Sequence, residues 1–401
     1  MTPPDNMLGA DMDRIQRVAL LMGVAGLAVC VAGAFLDRDQ FFRSYLFGYL
    51  FWLGMAIGSL GALMLNHVVG GRWGVVSRRL LEAGTRTTPL MAVLLIPILL
   101  GIGSLYLWSR GELVQHDTIL QMKQAYLNVP FFITRLAIYF LIWMGYGMAL
   151  RRWSLEQDRT GDPRLINRMK NWSAPGLIVF TLAGSFAFFD LIMSLEPHWF
   201  STIYGAMFLV GQLLETIAFI IAVLVLLSRR APFREILTTQ HFHDFGNLML
   251  AFTCLWAYLS FSQFLIIWAG NLPEEIPWYM RRLFGGWGVV AVLLVVFHFF
   301  VPFLILLQRF VKRDPAVLQK VALAMIFVRM VDVFWVVMPA FSQPEFKRPG
   351  FHLSWMDFAA PIGVGGIWIA TYIWNLKRFP LVPVGDPRLA SAPNAMVEGL
   401  H

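Results

Sequence analysis

Cysteine is nearly absent from this sequence, which has only two in 401 residues. Cys30 and Cys254 both lie inside apolar runs, far apart in the chain. They form no CxxC pair, no CxxCH haem-attachment motif and no ligand set for an iron–sulfur cluster, and they support no disulfide framework. The cysteine count therefore excludes covalently attached haem and iron–sulfur centres from this chain.

Charge is also scarce. Only 14% of the residues are charged and 58% are hydrophobic, whereas soluble domains carry about a quarter charged residues. The mean hydropathy is +0.64. A helix of roughly 20 apolar residues crosses a hydrocarbon core of about 30 Å, so most of the chain can be assigned to membrane spans. The composition predicts an integral membrane protein without a large soluble domain.

The sequence also lacks the motifs of soluble enzymes. Gly101-Ile102-Gly103 has no third glycine of a dinucleotide-binding loop, and neither a GKS or GKT phosphate loop nor an HExxH motif is present. The net charge of +8 comes from basic residues that flank apolar runs, where anionic lipid and membrane topology explain them. ATP-driven, hydrolytic and nucleic-acid-binding functions are therefore not predicted.

What the sequence does contain is ten long apolar runs. They are continuous rather than alternating, which favours helices over barrel strands because each span must satisfy its own backbone hydrogen bonds. The first run is longer than the apolar region of a signal peptide and is also interpreted as a span. The predicted fold class is an all-α polytopic membrane protein, with spans at about 17–36, 44–66, 88–109, 128–150, 174–195, 202–228, 246–270, 285–308, 319–340 and 356–376.

The ten spans are predicted to form a single domain over residues 1–380. Spans two to five and six to nine read as two four-helix bundles, flanked by spans one and ten. Lys and Arg concentrate in the segments on the side of the N-terminus, which predicts that both termini are cytoplasmic. Residues 381–401 are interpreted as a cytoplasmic tail, extended or disordered.

Two cytoplasmic segments mix arginine with apolar residues. They run from Arg72 to Arg86 and from Arg151 to Lys170. Such a mixture is typical of short helices that lie in the membrane interface. A solvated basic loop is the alternative interpretation for both.

A few ionisable residues fall at membrane depth, where each costs at least roughly 2.5 kcal/mol and usually serves function or pairing. Glu215 lies thirteen residues into the sixth predicted span, about 20 Å from its outer end. We interpret it as a proton carrier or as the partner in a structural hydrogen bond. His298, inside the eighth span, can relay a proton, bond a quinone carbonyl, ligate haem or serve as a buried hydrogen-bonded residue.

Two further pairs of ionisable residues belong to the same set of candidates. Arg329 and Asp332 are three residues apart on the ninth span, so they share one helix face and can neutralise each other. Next to Glu215 or His298, such a pair would serve as a switch for proton transfer. Arg135 either extends toward the outer surface or pairs with Asp190 of the fifth span.

Three polar residues precede the seventh span on the predicted cytoplasmic side: His241, His243 and Asp244. They form either an antenna that takes up protons or an amphipathic helix cap. Asp244 is well placed as the N-terminal capping residue, which favours the cap. The HxH spacing alone predicts no metal site.

Two longer motifs resemble a known family. The segment from Asp190 to Gly205 reads DLIMSLEPHWFSTIYG, and the segment from His243 to Phe252 reads HDFGNLMLAF. Both are similar to the ActF-type membrane subunit of alternative complex III, a bacterial quinol:cytochrome c oxidoreductase. This family belongs to the NrfD-like, polysulfide-reductase-type membrane superfamily. The resemblance covers most of the chain, from the second to the tenth span.

The resemblance implies a ten-span fold of two four-helix bundles with extra helices, in the bacterial inner membrane. It also implies partners: a homologous ActC-type membrane subunit, a periplasmic iron–sulfur subunit and multihaem cytochromes c, which would hold the redox centres. Glu196 and His198, in the first motif, would lie at the outer mouth of the subunit. Whether this chain contributes to a quinone site or has no catalytic part is left open.

The resulting hypothesis is a cofactor-free membrane subunit that supports quinol oxidation and conducts protons through Glu215, His298, Arg329 and Asp332. A secondary transporter is the alternative, in which buried charges bind substrate or coupling ions near the midplane. It would require helices interrupted at corresponding positions in both halves. A purely structural scaffold subunit is the third interpretation.

Overall fold

The structure, a computed structural model, describes residues 6–342 and 350–390, and these ranges contain helices and no strand. Ten helices are long and apolar enough to cross a membrane. The prediction of an all-α polytopic membrane protein with ten spans is therefore confirmed. The helices are α1 (Asn6–Ala34), α2 (Arg38–Val69), α3 (Arg72–Leu100), α4 (Val129–Thr160), α5 (Arg164–Leu191), α6 (Tyr204–Leu227), α7 (Thr239–Gly270), α8 (Trp287–Leu307), α9 (Pro315–Val337) and α10 (Met356–Leu376).

Short helices connect the spans. The longest connection, between α3 and α4, contains two of six residues each, Gly111–His116 and Thr118–Lys123. An eight-residue helix, Ile276–Leu283, precedes α8. The remaining short segments are Ile102–Leu105, Leu107–Ser109, Met193–Leu195, Phe233–Ile236, Arg309–Arg313, Met338–Ser342 and Pro387–Ala390.

Helix α2 forms the centre of the molecule. Almost all of its side chains are buried, as expected of a helix that is apolar on every face. It packs on α3, α5, α6 and α10, and a Cβ at Gly48 would lie 2.7 Å from the backbone nitrogen of Pro361 on α10. Because α2 packs on α6 and α10 as well as on α3 and α5, the division into bundles α2–α5 and α6–α9 stays a prediction.

Helices α1 and α10 form a closely packed pair at the edge of the molecule. A Cβ at Gly23 would lie 2.5 Å from the backbone nitrogen of Ile367, and a Cβ at Gly26 would lie 2.8 Å from the Cα atom of Gly363. Small residues on both helices let the two backbones approach, which is how membrane helices gain van der Waals contact. Beyond α10, the main neighbour of α1 is α2.

The two basic segments are helical rather than solvated loops. The first, Arg72–Thr85, is a short helix at the beginning of α3, and its side chains from Trp73 to Thr85 are buried in protein. The second consists of the end of α4 and the start of α5, which meet at a tight turn where Gly161 adopts the left-handed conformation with φ of 65°. The short helix is therefore confirmed for the first segment, and its position in the membrane interface stays a prediction, whereas the second forms no separate short helix because α4 and α5 extend into it.

The chain after α10 folds back onto this basic region. Asp386 is buried and accepts a 2.5 Å hydrogen bond from Arg78 and a 2.8 Å bond from Arg388. Burial raises the pKa of Asp386, but the two arginines outweigh it and hold the pKa below the usual 3.8. The prediction of an extended or disordered tail is therefore wrong for residues 381–390, and residues 391–401 lie outside the described ranges.

The two ends of the described chain lie on one side of the molecule. Lys377, after α10, forms an ion pair with Asp13 of α1, and Arg230 pairs with Asp11. We call this side the terminal side and the other, which holds Glu196, the opposite side. That the terminal side faces the cytoplasm stays a prediction.

Candidate functional site

Four of the ionisable residues selected from the sequence meet inside the protein, although they come from three helices. Glu215 lies on α6, His298 on α8, and Arg329 and Asp332 on α9. The guanidinium of Arg329 donates to Asp332, and its Nε lies 3.8 Å from Oε2 of Glu215. Nδ1 of His298 lies 3.8 Å from Oδ2 of Asp332. We call these four residues the central cluster.

The central cluster lies near the middle of the membrane-spanning helices that carry it. Glu215 follows the start of α6 by eleven residues, or about 17 Å along the helix axis. All four side chains are buried, and Glu215 and His298 have no exposed surface. Charged groups at this depth are costly unless they are paired or act in ion or proton movement.

Trp256 of α7 completes one wall of the cluster. Its indole Nε1 donates to Oδ2 of Asp332 at 3.2 Å, and its ring centroid lies 3.9 Å from that of His298. Sequence reasoning missed this residue. The available signal was its position in the middle of a span, because tryptophan in membrane proteins favours the interfaces.

His298 occupies an irregular turn of α8. Residues Val295–Phe300 form a π-helical turn, and Pro302 follows four residues after His298. Proline has no amide hydrogen for the histidine carbonyl, and π-helical turns within α-helices are frequent at functional sites. Both ring nitrogens of His298 lack a hydrogen-bond partner among the described protein atoms.

Several polar atoms around the cluster are likewise buried without a partner. They include both carboxyl oxygens of Glu215, both amide atoms of Gln212, and the hydroxyl of Thr216. Buried polar atoms are normally hydrogen-bonded. Gln212, Glu215 and Thr216 thus form a buried polar set on α6 beside the cluster.

Glycines make room for these side chains. A Cβ at Gly211 would collide with the guanidinium of Arg329, and Cβ atoms at Gly54 and Gly58 of α2 would collide with Gln212 and Thr216. Glycines on α2 and α6 therefore allow close approach of the neighbouring helices at these positions. The polar set thus extends from the cluster to the surface of α2.

Arg135 and Asp190 form a separate site on α4 and α5. Nε and Nη2 of Arg135 donate to the two oxygens of Asp190 at 2.9 and 2.8 Å, and the hydroxyl of Tyr139 donates to the same carboxylate at 3.0 Å. The pairing alternative is therefore confirmed and extension toward the surface is wrong. In the described ranges, no hydrogen bond or ion pair connects this site with the central cluster.

On the opposite side, Glu196 connects the segment after α5 to the short helix that precedes α8. Its buried carboxylate pairs with Arg281 and accepts a 2.6 Å hydrogen bond from Arg282, which also donates to the carbonyl of Val336 on α9 at 2.6 Å. Neither arginine was selected from the sequence, since both lie in a short connecting helix rather than in a span. A cavity of about 200 Å³ beside Glu196 is also lined by His198.

His198 pairs with Asp117 of the connection between α3 and α4. The distance from Nε2 to Oδ2 is 2.5 Å. Partial burial raises the pKa of Asp117, but hydrogen bonds from the Leu120 amide and from His198 outweigh it, so the pKa lies below the usual value. Both predicted mouth residues thus lie at one surface cavity, and their functional role stays a prediction.

Of the three polar residues before the seventh span, His241 takes part in the helix cap, as the cap interpretation predicted, but the capping residue itself is a different one. Thr238 is the N-cap of α7, and Nδ1 of His241 accepts from the Thr238 amide at 3.1 Å. Asp244 lies inside the helix and accepts from Gln240 at 2.8 Å, so the prediction that it caps the helix is wrong. His243 lies in the same turn, and a role in proton uptake stays a prediction.

Two further expectations from the sequence concern a metal site and interrupted helices. In the part of the chain that the structure describes, no three His, Cys, Asp or Glu side chains converge in a way that could hold a metal ion. Helix α3 is interrupted at Arg86–Thr87 and at Leu95, and α8 contains the π-helical turn. These irregular helices are second in one predicted half and third in the other, so they do not form the corresponding pair that an inverted-repeat transporter uses.

No protein-family model and no curated protein sequence matches this chain. The similarity to the ActF-type subunit therefore rests on the two sequence motifs and stays a prediction. In the structure, the first motif supplies Glu196 and the Asp190 site, and the second begins within the first turns of α7.

Proposed function

We propose that this protein is a cofactor-free membrane subunit of an alternative-complex-III-type quinol:cytochrome c oxidoreductase in a bacterial inner membrane, and that its central cluster conducts protons. The observation that carries the proton-path proposal is the convergence of Glu215, His298, Arg329 and Asp332 at mid-membrane with unpartnered carboxyl and imidazole atoms. The assignment to the complex rests on the two sequence motifs.

The charges of the cluster support proton transfer. Arg329 stays protonated in proteins, and its positive charge offsets one carboxylate, that of Asp332, to which it donates. The cluster is therefore neutral when Glu215 carries a proton and His298 carries none. A proton that moves from Glu215 to His298 leaves the net charge at zero, so the transfer adds no net charge to the membrane interior.

Arg329 and Asp332 lie between Glu215 and His298. The separations of 3.8 Å on either side are too long for direct hydrogen bonds, but a shift of about 1 Å would bring each pair within bonding distance. The indole of Trp256 donates to Asp332 and so limits its movement. The pair would act as a switch if the guanidinium of Arg329, which stays protonated throughout, moved from Asp332 to Glu215, because it would then stabilise the deprotonated Glu215 and leave Asp332 free to bond the protonated imidazole of His298.

The partners follow from the lack of redox centres. A chain with two cysteines cannot hold the iron–sulfur clusters and covalently attached haems that quinol:cytochrome c chemistry uses. An iron–sulfur subunit, multihaem cytochromes c and an ActC-type membrane subunit would supply these centres and a quinol site. This subunit would supply the membrane arm.

The test is Glu215→Gln in the assembled complex, reconstituted in liposomes. Proton movement coupled to quinol oxidation is expected to fall at least tenfold, a size typical of the loss of a single proton-transferring group. The matched control is Glu112→Gln, which changes an exposed carboxylate on the opposite side. Co-purification of c-type haem and an iron–sulfur subunit verifies assembly.

Two results would contradict the proposal in different ways. Wild-type proton movement in an intact Glu215→Gln complex would show that the cluster is a structural scaffold. A purified protein without c-type haem or iron–sulfur partners would disprove the assignment to the oxidoreductase, whatever the cluster does.

A further inference from the structure

A large apolar groove runs along one edge of the molecule. Its volume is about 970 Å³, within the range of ligand-binding cavities. It lies between the pair α1 and α10 on one side and α8 and α9 on the other, with α2 at its floor. Side chains that line it include Ile15, Met22, Trp52, Phe327, Phe334 and Ile362.

The packing of α1 explains why the groove exists. Glycines hold α1 tightly to α10, while bulky side chains such as Phe327 and Met330 project from α9 between the two helix pairs. Phe327 is largely exposed at the opening between α1 and α9, and an acyl chain would enter the groove there from the surrounding lipid.

The end of the groove on the terminal side carries an unused positive charge. Arg14 lines this end and is exposed. The nearby carboxylates have other partners, since Asp11 pairs with Arg230 and Asp13 pairs with Lys377. Arg14 forms no ion pair or hydrogen bond within residues 6–342 and 350–390. An anionic group that lies there would find a cation without a competing protein partner.

Among the residues that the structure describes, the other end of the groove offers no comparable polar site. Asp357 lines it, but its carboxylate already accepts hydrogen bonds from Ser44 at 2.6 Å, Gln40 at 3.1 Å and the Ser354 amide at 2.8 Å. A ligand that matches the groove therefore has one anionic end at Arg14 and a long apolar remainder. That is the chemistry of an anionic phospholipid.

The dimensions agree with this occupant. On α1 the groove lining extends from Asp11 to Met22, eleven residues or about 17 Å, and on α10 it continues from Ile369 to Asp357 at the other end. Half of a hydrocarbon core is about 15 Å thick, so the stretch beside α1 is long enough to hold an acyl chain across one leaflet. We infer that an anionic phospholipid binds here, with its phosphate on Arg14 and an acyl chain in the groove between α1 and α9.

Native mass spectrometry of the delipidated full-length protein can test the phosphate contact. The probes are dioleoyl phosphatidylglycerol and dioleoyl phosphatidylcholine. Arg14→Gln is expected to weaken retention of phosphatidylglycerol about fivefold, which corresponds to about 1 kcal/mol for one basic residue near anionic lipid. Arg17→Gln, one turn further along α1 and outside the lining, should leave retention unchanged. Equal effects of the two variants would overturn the proposal.

A second pair of variants tests the groove itself. Val331→Phe places a larger side chain in the lining and should weaken retention of both lipids, whereas Leu21→Phe, on the outward face of α1, should not. Unchanged retention in Val331→Phe would overturn the proposal. The proposal would also be overturned if Val331→Phe retained phosphatidylglycerol but no longer co-purified with a partner subunit, because the groove would then be a protein interface. Displacement of phosphatidylglycerol by a long-chain quinone would overturn it as well, by showing that the groove takes a neutral isoprenoid.

Discussion

Arg329 is the residue on which the central cluster depends. Its guanidinium contacts Asp332, approaches Glu215, and lies 4.8 Å from the ring centroid of Phe208. These contacts require space on α6, which a glycine at position 211 provides. One position without a side chain thus allows a charged group of α9 to reach a carboxyl of α6.

Gly211→Ala is therefore expected to destabilise the protein by about 1–3 kcal/mol, because the added methyl group would displace the guanidinium in a closely packed interior. The control is Gly145→Ala in the interior of α4, where an added Cβ would meet no atom within 4 Å. The control should be neutral or slightly stabilising, since alanine favours a helix over glycine. Thermal unfolding in detergent measures both, and equal midpoints for the two variants would contradict this view of Arg329.

At the scale of elements, the start of α3 and the segment after α10 stabilise each other. Arg78 is completely buried and donates to Asp386 and to Gln157 of α4. A buried arginine is tolerated when its charge is paired and its hydrogen bonds are made. The segment that follows the last span therefore functions as part of the helical body, because it supplies the counter-charge that α3 needs.

Asp386→Asn should release this segment, since Arg78 would lose its buried counter-charge, a change that typically costs 3–5 kcal/mol. Trypsin cleavage after Arg378 is expected to become faster in the variant. Asp162→Asn, in the exposed turn between α4 and α5, is the control and should keep the wild-type rate. If both variants are cleaved like the wild type, residues 381–390 do not depend on the contact.

At the scale of the whole molecule, the ten helices place the two described chain ends on one side. The ion pair between Asp13 and Lys377 joins those ends, and the basic segments of α3, α4 and α5 lie next to them. An excess of Lys and Arg is typical of the cytoplasmic side of a membrane protein. The orientation of the molecule in its membrane is therefore open to a direct test.

Single-cysteine labelling in spheroplasts measures the orientation. In a chain with Cys30 and Cys254 replaced by serine, Glu112→Cys on the opposite side should react with a membrane-impermeant maleimide. Asp162→Cys on the terminal side should react only after the cells are lysed. The reverse pattern would place both termini outside the cytoplasm and would make the positive-inside prediction wrong.

The sequence by itself determined the number of spans, because hydrophobic run length is a local property that the thickness of the membrane makes decisive. It also singled out Glu215, His298, Arg329 and Asp332, since an ionisable residue in an apolar run stands out without any knowledge of its neighbours. The sequence did not determine whether these four residues meet, because their convergence depends on how α6, α8 and α9 are rotated against one another.

The tertiary structure alone decided which groups meet. It replaced Asp244 by Thr238 as the cap of α7, brought Trp256 to the cluster, and placed Asp386 on Arg78. Each of these contacts depends on how side chains pack against one another. The hydropathy of a sequence carries no information about that packing. The physical reason is that lipid specifies only where a helix crosses the membrane, whereas the contacts between helices depend on shape, small residues and polar pairing.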